Sequence, residues 1–303
     1  MIVILTALPV EQQAVLEHLV DVEVHPHRAG TLFDVGSPAG RSATRVALGV
    51  TGPGTLGAAA LTERAITEFS PRAVMFVGVA GGLRSWLEIG DVVVGTKIHA
   101  YHGGRSEDHA FLVRPRSWDA SHELEQVARR LPRSDAWYGG LAGPGEGVAP
   151  SVHFEPIAAG DVVLNSGTSP VATRIRENFN DAVAIEMESS GFAIAGHLSG
   201  SVPMVTIRSI SDHADGTKEL TDGRGSQRIA ARNAAAFAVA LAAAIDEAAG
   251  ARNDQQSEAE PGNADAGGEA VRVSNVAQGN ARVGQQFGVN HGGVTLTWGA
   301  DSR

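Results

Sequence analysis

The chain has 303 residues, of which 43% are hydrophobic and 19% are charged, a composition typical of a globular protein with a sizeable buried core. The net charge of −10 argues against a nucleic-acid backbone or an anionic membrane surface as the main partner. Because the chain contains no cysteine, disulfides, thiolate zinc sites and catalytic thiols are excluded.

The first seven residues form an apolar run without the preceding basic segment that a secretion signal carries. No stretch of the chain is expected to approach the roughly 20 apolar residues of a membrane span. We therefore expect a cytoplasmic protein.

Short runs rich in Val and Ile alternate with Ala-rich segments along most of the chain. The pattern predicts strands at 2–6, 44–50, 73–79, 91–94, 182–186 and 204–211, and helices at 11–20, 55–69 and 227–249. Such alternation is typical of strands that are buried on both faces with helices packed over them. The sequence therefore predicts α/β architecture.

The composition changes after Gly250. Residues 251–269 contain almost nothing apolar to bury, and such a segment cannot offset the entropy lost on ordering it. β-branched residues, Gln, Asn and regularly placed Gly return over 271–298, which is too short for a domain. We predict a catalytic domain at 1–249, an acidic flexible linker at 250–270 and a short motif at 271–298.

Two carboxylates flank Met187 where a predicted strand runs into a helix. Ligand sites form at such places in open α/β sheets, and the carboxylate of Glu186 or Glu188 can accept hydrogen bonds from two adjacent ribose hydroxyls. The alternative is that both glutamates simply favour a helix N-terminus. This segment alone supports the two interpretations equally.

Asp212 follows the strand predicted at 204–211. Partial desolvation there favours a protonated carboxyl group, which can donate to a purine ring nitrogen. The alternative is that Asp212 and Asp215 cap a turn, which is a common use of aspartate.

Cleavage of a glycosidic bond also needs an activated nucleophile. Glu11 lies after the first predicted strand, where a carboxylate can orient water, although a glutamate in the first turn of a helix is common. Glycine-rich turns at 49–57 and 77–83 allow the backbone to approach a ligand closely. Neither turn matches a known nucleotide-binding pattern.

Taken in this order, the segments resemble the purine nucleoside phosphorylase and uridine phosphorylase superfamily, especially its methylthioadenosine/S-adenosylhomocysteine nucleosidase branch. The resemblance covers residues 1–248. It rests on A-L-P-V-E at 7–11, V-G-V-A-G-G-L at 77–83 with G-D-V-V at 90–93, I-E-M-E at 185–188 and R-S-I-S-D at 208–212. It implies a three-layer α/β fold with a central mixed sheet flanked by helices.

The resemblance also implies roles for individual residues. Glu188 is expected to bind the ribose hydroxyls, Met187 to lie under the sugar, and Asp212 to protonate the base at its five-membered ring, which implies a purine. Further contacts to a nucleoside or nucleotide are expected from Glu186, Val79, Ala80, Gly81, Val163, Leu164 and Ser211. Neither a metal nor a cofactor is expected.

The choice between water and phosphate as nucleophile depends on an anion site. Phosphorylases of this superfamily place an arginine shortly before the Gly-Gly turn and a serine within it, and the corresponding residues here are Phe76 and Val79. Neither side chain can donate a hydrogen bond, and desolvating an unpaired anion is costly. The sequence therefore favours hydrolysis, with Glu11 at the position of the water-activating glutamate of the nucleosidases.

The segment after Asp212 departs from the nucleosidase branch. That branch holds a 5′ thioether against an apolar wall that includes a phenylalanine, whereas residues 215–228 read DGTKELTDGRGSQR. We expect a polar 5′ group such as a phosphate, with Lys218, Arg224 or Arg228 near it. A solvated loop explains the same residues at least as well.

Residues 271–298 resemble the bacterial amyloid signalling motifs related to the homotypic interaction motif of receptor-interacting kinases. In-register stacking of the core VGQQFGV at 283–289 would form ladders of Gln amides and interdigitate its apolar side chains. The resemblance implies recruitment by a sensor ATPase with a matching motif, in an immune-like antiphage system. The alternatives are a disordered tail or a hairpin folded onto the enzyme domain.

Three functions remain open: a purine nucleosidase effector, a purine nucleoside phosphorylase, and a non-catalytic nucleoside-binding scaffold. The joint presence of Glu11, Met187, Glu188 and Asp212 weighs against the scaffold. Because relatives in the superfamily assemble as dimers or hexamers, we expect a homodimer or homohexamer.

Overall fold

A mixed sheet of ten strands runs through the centre of the described part of the protein. The computed structural model describes residues 1–139, 149–200, 202–216 and 225–258. The chain divides into the units Met1–Gln255 and Gln256–Arg303, and apart from the last residues of the final helix the elements below belong to the first.

The strands in chain order are β1 (Ile2–Thr6), β2 (Leu19–Pro26), β3 (Leu32–Pro38), β4 (Val46–Val50), β5 (Ala73–Gly82), β6 (Val92–Ala100), β7 (Gly104–Ser106), β8 (Phe111–Val113), β9 (Arg116–Asp119), β10 (Val152–Ala159), β11 (Ala184–Glu186) and β12 (Met204–Asp212). The helices are α1 (Pro9–Leu16), α2 (Thr55–Phe69), α3 (His122–Ala128), α4 (Ala136–Gly139), α5 (Pro170–Asn178), α6 (Ser189–Leu198) and α7 (Ser226–Glu258), with a 3-10 helix at Leu131–Arg133.

The sheet order is β11-β10-β6-β12-β5-β1-β4-β3-β2, with β9 paired to β6, while β7 and β8 form a separate pair. The central strands are parallel to one another: β4 pairs with β1, β1 with β5, and β5 with β12. Antiparallel pairs join β12 to β6 and β2 to β3. The sheet is therefore mixed, with a parallel centre.

Both faces of the central strands are covered by helices. Ile4 of β1 belongs to the same hydrophobic cluster as Phe237 of α7, whereas the adjacent Leu5 belongs to the cluster that contains Phe192 of α6. Successive side chains of a strand point to opposite faces, so an element covered on both sides is apolar throughout. This is the three-layer arrangement that the sequence predicts.

The helix predicted at 227–249 is α7, and it is longer than predicted. Ala230, Ala234 and Ala238 are completely buried in the core. The helix continues to Glu258, past residue 250, where the flexible linker is predicted to begin. Ala, Arg, Gln and Glu after Gly250 favour helix and extend one already nucleated. The remaining linker and the motif at 271–298 lie outside the described residues.

The part of α7 at Ser226–Gly250 has the length and apolar composition of a membrane span, with a mean hydropathy of 1.5. The expectation that no stretch approaches this length was therefore wrong for this segment. However, 72% of the apolar window is buried inside the protein, as is usual for the core helix of a globular domain.

The helix predicted at 11–20 ends at Leu16, and β2 begins at Leu19. Apolar and polar residues alternate from Val20 to Pro26, a period of two that competes with the helical pattern at this boundary. Because β2 is an edge strand, Val20 and Val24 remain exposed, and their apolar character does not mark the core. The sequence also did not predict strands β3, β7, β8, β9 and β10.

The packing of α6 against α2 depends on Gly191. A Cβ atom built on Gly191 would overlap the backbone oxygen of Thr55 at the start of α2. We therefore expect Gly191→Ala to separate the two helices and to lower the free energy of unfolding by about 1–3 kcal/mol, as overpacking of a core does. Urea denaturation measures this change. Gly167→Ala is the matched control, since its added Cβ has no neighbour within 4 Å, and equal denaturation midpoints for both variants would contradict the prediction.

Candidate active site

A cavity of about 350 Å³ opens where three parallel strands end at one edge of the sheet. Ala7 follows β1, Gly81 lies at the end of β5 and Asp212 ends β12, and all three line the cavity. The carboxyl ends of parallel strands are the usual place for ligands in open α/β sheets.

Eleven of the residues that the sequence predicts for catalysis or substrate binding line this cavity. They are Glu11, Val79, Ala80, Gly81, Val163, Leu164, Glu186, Met187, Glu188, Ser211 and Asp212. A larger cavity of about 490 Å³ lies between α6 and β9, and none of these residues lines it. Across the described ranges, no group of three or more His, Asp or Glu side chains is arranged to hold a metal ion.

Arg208 of β12 is completely buried beside this cavity and contacts three carboxyl groups. Its Nη2 bonds to Oε2 of Glu186 and lies 3.1 Å from Oε2 of Glu188, and its Nη1 lies 4.0 Å from Oε1 of Glu11. Burial lowers the pKa of the guanidinium, but the three carboxylates more than offset this and raise the pKa above its usual value. Arg208 therefore stays charged and holds the carboxyl groups together.

Glu11 lies in the first turn of α1 and is almost completely buried. Its Oε2 accepts hydrogen bonds from the backbone N–H groups of Ala7 and Leu8 at 2.9 and 2.8 Å, and its Oε1 accepts one from Val79 at 2.9 Å. Burial raises the pKa of Glu11, although Arg208 and these N–H groups act in the opposite direction. The carboxyl group is thus held in a single orientation.

Close approach of the backbone is needed at Gly78. A Cβ atom built there would overlap both Oε1 of Glu11 and Nη1 of Arg208. Gly78, in the glycine-rich turn at 77–83, therefore leaves space for the charged cluster. The sequence predicts a close approach of this turn to a ligand, and in the structure the turn closely approaches the side chains of Glu11 and Arg208.

Glu186 and Glu188 have different surroundings although they are two residues apart. Oxygen atoms of Glu186 accept hydrogen bonds from the N–H groups of Glu188 and Ser189 at 3.0–3.1 Å, and Oε2 also bonds to Arg208. Burial raises the pKa of Glu186, as does the nearby charge of Glu188, while Arg208 lowers it. The interpretation that a glutamate here serves the helix N-terminus therefore describes Glu186, whose role as a substrate ligand stays a prediction.

The carboxylate of Glu188 is held at both oxygens but faces the cavity. Oε1 accepts a hydrogen bond from the N–H of Gly54 at 3.0 Å, and Oε2 accepts one from Arg208 at 3.1 Å. Each carboxylate oxygen has two lone pairs. Within the described residues, the protein occupies one on each oxygen, so the arrangement can accept two further hydrogen bonds from a ligand.

Asp212 is buried at the end of β12. The hydroxyl of Ser211 donates to its Oδ2 at 3.0 Å, and the N–H of Ala214 donates to its Oδ1 at 2.9 Å. The second contact spans the following turn, so Asp212 serves the turn and lines the cavity at the same time. The two interpretations of this residue are compatible.

Comparison with known proteins identifies the family. The family model described as the phosphorylase superfamily matches residues 1–244. The chain belongs to the phosphorylase superfamily. This confirms the superfamily predicted from the four motifs.

Two relatives of this superfamily member are 5′-methylthioadenosine/S-adenosylhomocysteine nucleosidases. The protein of Maridesulfovibrio salexigens is 29% identical over 177 residues, covering 58% of this chain and 72% of the relative. The protein of Glaesserella parasuis is 30% identical over 182 residues, covering 59% and 72%. These relatives confirm the prediction of a nucleosidase.

A solved structure from Neisseria meningitidis is also similar. It is a 5′-methylthioadenosine/S-adenosylhomocysteine nucleosidase in complex with methylthio-immucillin-A. The TM-score is 0.67 at 26% sequence identity, and the match covers 79% of this chain and 97% of that one. The predicted fold class is confirmed by this likeness.

Apolar side chains occupy the two positions at which the resemblance to phosphorylases leads us to expect anion-binding residues. Phe76 is completely buried under the Arg208 guanidinium, whose Cζ lies 4.9 Å from the ring centroid, and its ring also packs on Phe192. Val79 lines the cavity, and its only hydrogen-bond donor is its backbone N–H, which already donates to Glu11. Neither side chain supplies a donor for phosphate.

Several functional residues were not predicted. Arg208 lies within the motif at 208–212, and a charged residue in a strand of the core signals an ion pair. Leu8, Pro53, Val162 and Gln227 also line the cavity. The first three lie in separate connecting segments and Gln227 lies in the first turn of α7, and none of the four had a local signal. Of the three cations expected near a 5′ group, Lys218 and Arg224 lie outside the described residues, and Arg228 does not line the cavity.

Proposed function

We propose that the protein is a purine nucleosidase that hydrolyses the N-glycosidic bond of an adenine-type nucleoside or nucleotide. The observation that carries the proposal is the convergence of Glu11, Glu188 and Asp212 on one cavity, with Glu11 and Glu188 both held by Arg208. The three carboxyl groups correspond to the three requirements of the reaction: an activated nucleophile, ligands for the sugar hydroxyls, and a proton donor for the leaving base.

Glu188 is the proposed ligand of the ribose. Its two oxygens each retain capacity to accept one hydrogen bond, which suits the adjacent 2′ and 3′ hydroxyls. Met187 lines the cavity next to Glu188 and offers an apolar surface for the sugar ring. Fixing the sugar in this way orients the anomeric carbon toward the nucleophile.

Glu11 is the proposed base. In the reaction, a water oxygen attacks the anomeric carbon as the C–N bond breaks, and Glu11 accepts the proton of that water. Asp212 donates its own proton to the nitrogen of the five-membered ring of the departing base. The carboxylate of Glu188 lies on the side of the sugar, where its charge stabilises the oxocarbenium-like transition state. Proton exchange with solvent restores the starting forms of Glu11 and Asp212.

Hydrolysis is favoured over phosphorolysis because no described side chain at the expected anion-binding positions is a donor. Phe76 and Val79 occupy those positions, and an unpaired phosphate there would lose its hydration without replacement. The 5′ group of the substrate is proposed to be polar, which rests on the composition of residues 215–228.

We further propose that the motif at 271–298 recruits the enzyme to a sensor ATPase in an antiphage response. The support is the sequence of this segment, with Gln285, Gln286 and Phe287 in a β-prone core between glycines. The cytoplasmic location and the homodimeric or homohexameric state stay predictions.

Base release is expected from the purified wild-type chain in phosphate-free buffer, with free ribose or ribose 5′-phosphate as the second product. Glu188→Gln should lower kcat/KM by at least about 100-fold. The substitution replaces one of the two side-chain oxygens that accept hydrogen bonds from the ribose hydroxyls with an amide group, which donates instead. Chromatography of a panel containing adenosine, AMP, ATP and methylthioadenosine measures free adenine and identifies the 5′ group. If AMP and ATP are cleaved no faster than methylthioadenosine, the polar 5′ group is wrong; strict dependence on phosphate would indicate a phosphorylase.

The acid limb of the pH profile is expected to lie above the ordinary glutamate pKa of 4.5, because burial raises the pKa of Glu11. As the pH falls through this raised pKa, Glu11 takes up a proton and the base is lost, so kcat/KM declines at a higher pH than for an exposed glutamate. Steady-state assays across this range measure the midpoint. Glu17→Gln changes an exposed carboxyl on the surface and should leave the profile unchanged. A midpoint at or below 4.5 would contradict the assignment.

Assembly through the C-terminal motif is expected to fail in Phe287→Asp, because a charge in the dry interface between sheets is not compensated. Fibre formation by the full chain is followed by thioflavin fluorescence and electron microscopy, with Ser302→Asp beyond the motif as control. Glu188→Gln should form fibres normally. Fibres of undiminished yield from Phe287→Asp would exclude the proposed stacking.

A further inference from the structure

The N-terminus of α2 is capped by a residue distant in the sequence. Gly54 precedes the helix and has no side chain to cap it. Asp161 supplies the cap: its Oδ1 accepts a hydrogen bond from the N–H of Thr55 at 2.8 Å, and the Thr55 hydroxyl lies 2.7 Å from its Oδ2. A carboxylate at this place satisfies an N–H group that the helix itself leaves without a partner.

The neighbouring N–H group serves the candidate active site. The N–H of Gly54 donates to Oε1 of Glu188 at 3.0 Å. Two consecutive N–H groups of one turn are therefore taken by two carboxylates, that of Thr55 by Asp161 and that of Gly54 by Glu188. Gly54 has a φ of 101°, a conformation that side-chain-bearing residues rarely adopt, so the direction of its N–H depends on how this turn is held.

Asp161 is itself held in place by its neighbours. Its N–H donates to Nδ1 of His102 at 3.1 Å, and the Tyr101 hydroxyl donates to the carbonyl oxygen of Gly160 at 3.1 Å. Burial lowers the pKa of His102, which favours the neutral ring that this acceptor role requires, although the charge of Asp161 acts in the opposite direction. The segment after Asp161 then forms the cavity wall with Val162, Val163 and Leu164.

We propose that Asp161 is a positioning residue for Glu188. By holding Thr55, it fixes the turn whose Gly54 N–H orients one oxygen of the sugar-binding carboxylate, while the buried Arg208 holds the other oxygen. Asp161 also joins this turn to the wall at 162–164, so two sides of the cavity are set by one side chain. The inference rests on the proposed function in one respect, namely that Glu188 binds the ribose hydroxyls.

A purely structural cap and a positioning residue have different consequences. Loss of a structural cap weakens α2 and reduces activity on every substrate alike. Loss of a positioning residue reduces the contribution of the ribose hydroxyls and spares substrates that lack them. The comparison of adenosine with 2′,3′-dideoxyadenosine therefore separates the two.

The experiment measures kcat/KM for both nucleosides in the wild-type protein, Asp161→Ala, Thr55→Val and Thr55→Ser. Loss of a helix cap of this kind corresponds to about a tenfold change in an equilibrium constant. We expect Asp161→Ala to lower the ratio of kcat/KM for adenosine to that for 2′,3′-dideoxyadenosine by about tenfold. Thr55→Val should also lower this ratio. Thr55→Ser should keep the wild-type ratio, because serine retains the hydroxyl donor. Asp135→Ala, at an exposed surface aspartate, is the matched control.

Binding of the same two nucleosides is measured by calorimetry in a Glu11→Gln background, where turnover is removed. A ratio of affinities that falls in Asp161→Ala supports the inference even if the wild-type protein releases no base, in which case the proposed function alone fails. The inference would be overturned if Asp161→Ala lowered the affinity for both nucleosides equally. It would also be overturned if the protein with Asp161 intact bound both nucleosides with the same affinity. If Asp161→Ala does not fold, the Thr55 pair provides the same comparison.

Discussion

The guanidinium of Arg208 carries a single positive charge into a buried site that holds three carboxyl groups. Without it, Glu11, Glu186 and Glu188 would repel one another in a poorly solvated space, and removing one partner of a buried ion pair typically costs about 3–5 kcal/mol. Arg208 also holds the three carboxyl groups in one cluster, because the nitrogen atoms of its planar guanidinium group contact all three. The proposed base and the proposed sugar ligand therefore share one cation, Arg208 of β12.

The carboxyl groups of the cluster outnumber its cation. One cation cannot neutralise three anions, and the pKa values of Glu11 and Glu186 are both raised by burial. The two residues use this environment differently. Glu186 directs its oxygens to the start of α6 and to Arg208, whereas Glu11 is held by backbone N–H groups beside the cavity. Similar carboxyl groups thus acquire a structural and a chemical role from their hydrogen-bond partners.

The remaining supports come from turns that bring the backbone close to the cluster. Gly78 allows β5 to pass beside Glu11 and Arg208, and Gly54 presents its N–H to Glu188. The proposed role of Asp161 extends the same logic outward, because it holds the turn that holds Glu188. Rigid backbone around a charged cluster keeps the geometry ready before a ligand arrives, which is how an enzyme site avoids reorganisation during the reaction.

The amino-acid sequence alone predicts the α/β class, the central strands and eleven of the residues that line the cavity. These are local properties: apolar runs mark β1 and β5, and Glu11, Glu188 and Asp212 lie in short motifs at the ends of strands. The edge strand β2 and the end of α7 were not predicted correctly, because exposed valines and helix-favouring polar residues do not report burial.

The contacts between the motifs are visible only in the folded protein. The cap from Asp161 to Thr55 joins residues 106 positions apart, and the contact between Gly54 and Glu188 joins residues 134 positions apart. Likewise, Glu186 and Glu188 look equivalent along the chain, and only the position of Arg208 and the start of α6 distinguish them. Such contacts depend on the order and direction of strands in the sheet, which a local pattern of side chains does not encode.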